Sequence, residues 1–463
     1  MEKLNISNLL TQKIVGPYTL RDLKEKKNIS LTIPINANNI NYLKYINNGT
    51  NIYLNSNKND IVDEKKYFTD VKHFLDMLSN INKSFKITIN VYNREILRLS
   101  NLLNSIPKNI TLNIKYDEYI YDLTTYQKEE KKLENMIARI RYANLSPLEK
   151  FLAVYDIVKK FKKYKDNEDS PEEAWQMRYI LEDNNDYIVC AGFAKLLTEL
   201  LNRVNIPSKY ISLYVDSSYD DSHIMEERQL TYDMHARNLI KLDDDKYNIH
   251  GYYLSDSTWD NHLNRDLYLN ALLTFDRKKE AKRLEKLSDE DLLLDFHNVD
   301  EFVDKIKFFI KKRISHPKIE APLEEELRKK AYKDIYLKIM DILLYTDRKQ
   351  YELFYNKYES QININTSELS SQNLEPVLTS LLNDYARYII PLSNNKIPLE
   401  SILKALIKIK QDIYFKSNEE IKNWLMKVKD DNAKFEEAAF PYIYDANNQT
   451  EAYLQSKENN SKK

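Results

Sequence analysis

One cysteine stands in this chain of 463 residues, Cys190. After it, Phe193, Leu196, Leu197, Leu200, Leu201 and Val204 recur at the spacing of one helix face, so a buried helix is expected to begin at or just after the cysteine. A thiol in that first turn lies against unpaired backbone N–H groups and the positive end of the helix dipole. Both favour the thiolate, which is the nucleophilic form. The plain alternative is a buried structural thiol, because free cysteine often packs as a small hydrophobe.

A thiol nucleophile needs a base for its proton, and the base needs a third group to orient its ring. Of the seven histidines, His235 stands immediately before a β-prone stretch, Ala236 to Leu242, and Asp256 closes a second one, Tyr247 to Leu254. The Asp243-Asp244-Asp245 run between them reads as a hairpin turn. The start of one hairpin strand neighbours the end of its partner, so His235 and Asp256 are expected side by side. Asp260 is an alternative orienter that strand alternation disfavours. His223, beside Asp220 and Asp221, reads as part of a solvated acidic loop rather than a metal site. His250 and His262 lack a ligand spacing and read as surface residues, while Trp259 is expected to pack beneath the site.

Three motifs occur in order here: Cys190-Ala191-Gly192-Phe193-Ala194 opening a helix, His235-Ala236-Arg237-Asn238 at a strand start, and Asp256-Ser257-Thr258-Trp259-Asp260 closing the next strand. Together they resemble the transglutaminase-like superfamily of papain-type thiol enzymes, over roughly residues 140 to 265. The resemblance implies an α+β core in which the cysteine helix packs on an antiparallel sheet. It implies Cys190 as nucleophile, His235 as general base and acid, and Asp256 as the residue that orients His235. Its implied chemistry is acyl transfer through a thioester on a protein or peptide amide, with no cofactor and no metal.

Water resolves such a thioester in a protease or deamidase, and a lysine amine resolves it in a cross-linking enzyme. A non-enzymatic scaffold on the same fold, with partners held by the flanking modules, is the competing class. The likeness to prokaryote-like members of the superfamily implies a bacterial hydrolase. Arg237 departs from the family, which often has an aromatic residue two positions after the histidine; here it is expected to alter the substrate cleft without touching the other three side chains. Trp175 and Gln176 are candidates for the side chain that stabilises an oxyanion, and the backbone N–H of Cys190 is a further donor.

The elements that must position these residues fall into three parts. Residues 1–120 alternate short β-prone runs with helical patterns, an α/β module. Residues 121–318 form the core, in which Ser146-Pro147-Leu148-Glu149 signals a helix start and Tyr210 to Val215 alternates as a strand. Residues 319–463 read as a helical region, with patterns at Leu323 to Tyr345, Leu374 to Tyr388 and Leu399 to Tyr414 and a polar tail from Asn447. Such a region could cover the cleft, an idea that truncation near Pro317 tests.

Composition sets the outer bounds. Lys and Arg number 70 against 71 Asp and Glu, which gives no general reason to expect nucleic acid or an anionic membrane as partner. One cysteine excludes an internal disulfide and a cysteine-rich metal site. No apolar run is long enough to span a bilayer, and the first residues lack a secretory pattern, so the expected compartment is the cytoplasm.

Overall fold

The structure, a computed structural model, describes residues 13–33, 40–56, 64–90, 106–116, 119–165, 171–216, 232–262, 266–268, 271–272, 293–294, 298–314, 321–362, 370–393 and 397–439. The expectations for His223 and its acidic loop, for Pro317 and for the tail from Asn447 lie outside these residues. The contacts gather the chain into two compact units, Met1–Asn135 and Met136–Lys463.

In the first unit, β1 (Lys13–Val15) and β2 (Tyr18–Thr19) form a small antiparallel pair, and α1 (Leu20–Glu25) follows a capping box closed by Thr19 and Asp22. A five-stranded sheet comes next, in the order β3 (Asn28–Ile33), β4 (Asn51–Ser56), β5 (Phe85–Asn90), β6 (Ile110–Tyr116) and β7 (Tyr119–Asp122). The first four strands are parallel and β7 is antiparallel to β6. These four are the β-prone runs of the sequence, with α2 (Glu64–Ser79) between β4 and β5. Parallel neighbours need such crossovers. Ile52, Leu54, Ile87, Ile89 and Ile114 share a buried cluster with Val71, Phe74, Leu75 and Leu78 of α2. α3 (Leu123–Tyr142) contains the boundary between the units.

The second unit opens with α4 (Pro147–Phe161), β8 (Lys163–Tyr164), a 3-10 turn (Glu172–Trp175), α5 (Met177–Leu181), β9 (Tyr187–Ile188) and α6 (Cys190–Arg203). It continues through β10 (Ser208–Asp216), β11 (Tyr232–Asp244), β12 (Ile249–Ser255) and α7 (Ser257–His262). The rest is helical: α8 (Val299–Ile314), α9 (Ala321–Thr346), α10 (Arg348–Ile362), α11 (Ser371–Ser393), α12 (Leu399–Asp412) and α13 (Asn418–Ala439). The fold is therefore mixed α and β, with helices before an antiparallel sheet ordered β10-β11-β12. A short parallel pair of β8 and β9, which the sequence reading lacked, leads into α6.

α4 starts at the residue its signal indicates. The Glu149 carboxylate accepts the Ser146 backbone N–H at 2.9 Å, and Asp244, at the end of β11, accepts the Leu148 N–H at 2.7 Å. That second bond joins the first helix of the core to its central strand.

The sheet is covered on both faces. On one side, Asn238 of β11 donates to the Ala194 carbonyl and the Thr198 hydroxyl of α6, both at 2.7 Å. On the other, Lys241 pairs with Asp347, and the Tyr252 hydroxyl meets that of Tyr388 in α11 at 3.0 Å. This is why β12 does not alternate: every residue from Gly251 to Ser255 is buried, the behaviour of a strand with two packed faces. α12 lies on α4, where Lys410 reaches the buried Asp156 at 3.3 Å.

The helices after residue 320 thus supply walls of the core. Ile339, Ile342 and Leu343 of α9 and Leu381, Leu382 and Tyr385 of α11 are all fully buried. A chain ending at residue 318 is expected to melt far below the full chain or to lose its cooperative transition. The truncation removes these side chains and bares the sheet face under them, where Tyr252 lies against Thr346 and Tyr388. Each large apolar side chain so exposed costs about 1.5–3 kcal/mol, and several together rival the roughly 5–15 kcal/mol that holds a domain folded. Thermal unfolding followed by circular dichroism checks this, and an unchanged midpoint would show a separable region. Truncation near Pro317 therefore tests folding before it tests any inhibition of the cleft.

Candidate active site

Cys190 is the first residue of α6, and the helix buries Phe193, Leu196, Leu197, Leu200 and Leu201 completely. The N-cap, Val189, has no side-chain acceptor, so the first-turn N–H groups are left to whatever lies before them. A second pair inside this helix was not evident in the sequence. Glu199 and Arg203 form a buried i,i+4 ion pair at 2.6 Å.

Gly192 explains how the preceding turn reaches the cysteine. A Cβ there would meet the Ala174 carbonyl oxygen at 3.1 Å and the Ile188 Cβ at 3.2 Å, so a side chain at this position would push that backbone back by a few tenths of an ångström and glycine lets it come close. Trp175 and Gln176 follow directly in the chain. The Trp175 ring lies under the Lys195 ammonium, 3.9 Å from its centroid, and Gln176 is buried.

His235 lies within β11 rather than just before a strand, since β11 already begins at Tyr232. The ladder between β11 and β12 fixes what it can reach. Its last pair is Asn238 with Ser255, and β12 ends there. Asp256 is therefore the first residue free to turn back toward the start of β11. His235 Nε2 is 2.8 Å from Asp256 Oδ2. With Nε2 so engaged, Nδ1 is the nitrogen left to act on the Cys190 thiol, whose ionisation the ring favours. The structure thus joins His235 to Asp256 by a hydrogen bond and sets Cys190 within electrostatic reach of the ring.

Asp256 is held from four directions. Its Oδ1 caps α7, accepting the backbone N–H groups of Thr258 at 3.1 Å and Trp259 at 3.4 Å, the usual task of an aspartate before a helix. Its Oδ2 accepts from His235 and also from Arg237 Nε at 2.9 Å. The expectation that Arg237 leaves the other three side chains alone is thereby corrected. Arg237 is on the same face of β11 as His235, and the register aims it at the same carboxylate. Asp260, the alternative orienter, is engaged elsewhere: the buried Tyr155 hydroxyl donates to its Oδ2 at 2.7 Å and to the Asp256 backbone oxygen at 3.0 Å.

Electrostatics follow from these contacts. Burial pushes the Cys190 thiol up, but the His235 hydrogen bond and charge, with a hydrogen bond from the Ala236 backbone N–H, outweigh it and hold the thiol below its ordinary value. Burial pushes the His235 ring toward its neutral form, yet the Asp256 carboxylate and then Cys190 overcome it and its pKa is pushed up to about 9. Burial raises Asp256, while His235 and then Arg237 bring it below the usual carboxylate range. Each shift favours a thiolate beside an imidazolium over a neutral pair.

The surroundings are aromatic. The Trp259 ring centroid is 5.9 Å from that of His235, and His262, an exposed residue, stands edge-on to Tyr164 at 5.4 Å. His250 is half-buried and pairs with Asp243 near the hairpin turn. Among the described residues, no cluster of three His, Cys, Asp or Glu side chains is placed to hold a metal ion, and no helix is long and apolar enough to cross a membrane. Asn238, quoted in the sequence motif without a task, ties the histidine strand to the cysteine helix.

No curated protein matches the chain. Residues 134–259, the stretch that holds Cys190, His235 and Asp256, match the family model described as the transglutaminase-like superfamily, and this part of the chain is a domain of that superfamily.

Proposed function

We propose that this protein is a thiol-dependent acyl-transfer enzyme that hydrolyses amide bonds of a protein or peptide, as a protease or deamidase, through Cys190, His235 and Asp256. The observation that carries the reading is the hydrogen bond of His235 to the buried Asp256 carboxylate, with the Cys190 thiol held below its ordinary value by the same ring. A structural thiol needs no such partners, and a base held by a third group is what nucleophilic catalysis requires.

The Cys190 thiolate attacks the amide carbonyl carbon and forms a tetrahedral oxyanion, for which the Cys190 backbone N–H and the side chain of Gln176 are the donors proposed. His235 then gives its Nδ1 proton to the departing nitrogen, and the C–N bond breaks to leave a thioester. Neutral His235 next takes a proton from water as its oxygen attacks the thioester carbon. The thiolate departs, the carboxylic acid forms, and the ion pair is restored. Asp256 holds the ring and its positive charge throughout. The reading places this chemistry in the core, with the helices after residue 320 in support and no cofactor required.

The test is the rate of iodoacetamide alkylation of Cys190 against pH, in wild type and in His235→Ala. Fast alkylation with an apparent thiol pKa well below about 8.5, lost in the variant, is expected. Slow alkylation that ignores His235 would remove the proposal and leave a structural thiol in a scaffold.

A further inference from the structure

We infer that Arg237 is a positioning residue that sets the pH range in which the Cys190–His235 pair is charged, by sharing the Asp256 carboxylate with His235. The inference rests on the reading of the site given above and concerns a residue that departs from the superfamily's pattern.

Geometry carries it. The β11–β12 ladder ends at Asn238 and Ser255, so continuing the antiparallel register by one step sets Arg237 opposite Asp256. His235 is two residues further along the same face, within diagonal reach of a ring. Both side chains end on one oxygen, His235 Nε2 at 2.8 Å and Arg237 Nε at 2.9 Å from Oδ2. The other oxygen is occupied by the N–H groups of Thr258 and Trp259. A carboxylate offers about four acceptor positions, and all are in use. The capping oxygen is the one Arg237 does not touch, so α7 does not depend on the guanidinium.

The charges around Asp256 come from every element packed against it. β11 brings His235 and Arg237, α6 brings Cys190, α4 brings Tyr155, and α7 brings Asp260, which is already bonded to Tyr155. With thiolate, imidazolium, Asp256 and Arg237 all charged, those four sum to zero. Without Arg237 those groups lose one positive charge and sum to one negative, with the Asp260 charge beyond them in both cases. A carboxylate no longer shared holds the imidazolium proton more tightly and repels the thiolate more strongly, so both ionisations move to higher pH. Asp256 is almost fully buried, with 1% of its side chain exposed, and Arg237 retains 16%. That burial limits screening by water, and the expected displacement is about one pH unit.

The experiment is the pH profile of Cys190 alkylation by iodoacetamide in wild type, Arg237→Gln and Arg237→Lys, with thermal unfolding of each. Arg237→Gln is expected to raise the apparent thiol pKa by about one unit and to slow alkylation at pH 7 several-fold. Arg237→Lys keeps the charge and is expected to stay within about a third of a unit of wild type. A Gln profile that superimposes on wild type overturns the inference. If the Gln variant does not fold, the Lys variant decides alone, and a full-unit displacement there overturns charge sharing. A wild-type thiol that shows no lowered pKa and no response to His235→Ala would instead sink the reading of the site itself.

Discussion

Cys190→Ala is expected to retain the wild-type melting curve and to release no product from any peptide or glutamine amide that the wild type hydrolyses. The fold should survive because little is removed. Cys190 packs with Ala194 and Ala236 in a small cluster at the start of α6, so alanine leaves a gap of one sulfur atom, costing about 1 kcal/mol. Chemistry should vanish because the oxygen of a water held near His235 is not a substitute for a covalent thiolate. Without the thioester, the hard step is no longer split in two. The comparison is made at the pH where the thiolate and imidazolium coexist, below the about 9 of His235. Equal hydrolysis by both proteins would end the thiol mechanism.

Much of this site was legible in the sequence because its parts are local. The α6 face from Phe193 to Val204 is written in the spacing of its leucines, and all of those side chains are buried. The α4 start at Ser146-Pro147-Leu148-Glu149 needs only residues within one turn, and Glu149 does reach back to Ser146. The nearness of His235 to Asp256 followed from hairpin logic alone, without knowing the register.

What depended on register was not legible. Arg237 could be assigned to the cleft or to Asp256 only once the ladder was known to end at Asn238 and Ser255. One step of slip would turn its side chain to the opposite face. The docking of the later helices is farther still from local reading. Lys241 meets Asp347, 106 residues away, and Tyr252 meets Tyr388, 136 residues away. Nothing in either segment's periodicity names its partner. In the first unit, the strands were readable as β-prone runs, but their parallel order β3 to β6 is a property of the crossovers.

His235→Ala is expected to lower hydrolysis by about 10^4-fold or more, and Asp256→Asn by less. The ordering comes from what each variant leaves behind. Alanine at 235 removes the group that both stabilises the thiolate and protonates the leaving nitrogen, so two steps fail together. Asparagine at 256 has one amide oxygen: with that oxygen capping α7, its amide nitrogen faces His235, so the ring stays roughly in place but meets a donor at Nε2 where it had an acceptor. It removes the charge that outweighs burial at His235, while the Arg237 cation remains beside the ring. The imidazolium then loses its proton at lower pH. Since His235 must be protonated to expel the amine, the alkaline limb of the kcat/KM profile should move down from about 9 toward neutrality, and the residual activity should be greatest on the acid side. An Asp256→Asn profile with an unmoved alkaline limb would mean that the carboxylate serves α7 alone, whatever its distance from the ring.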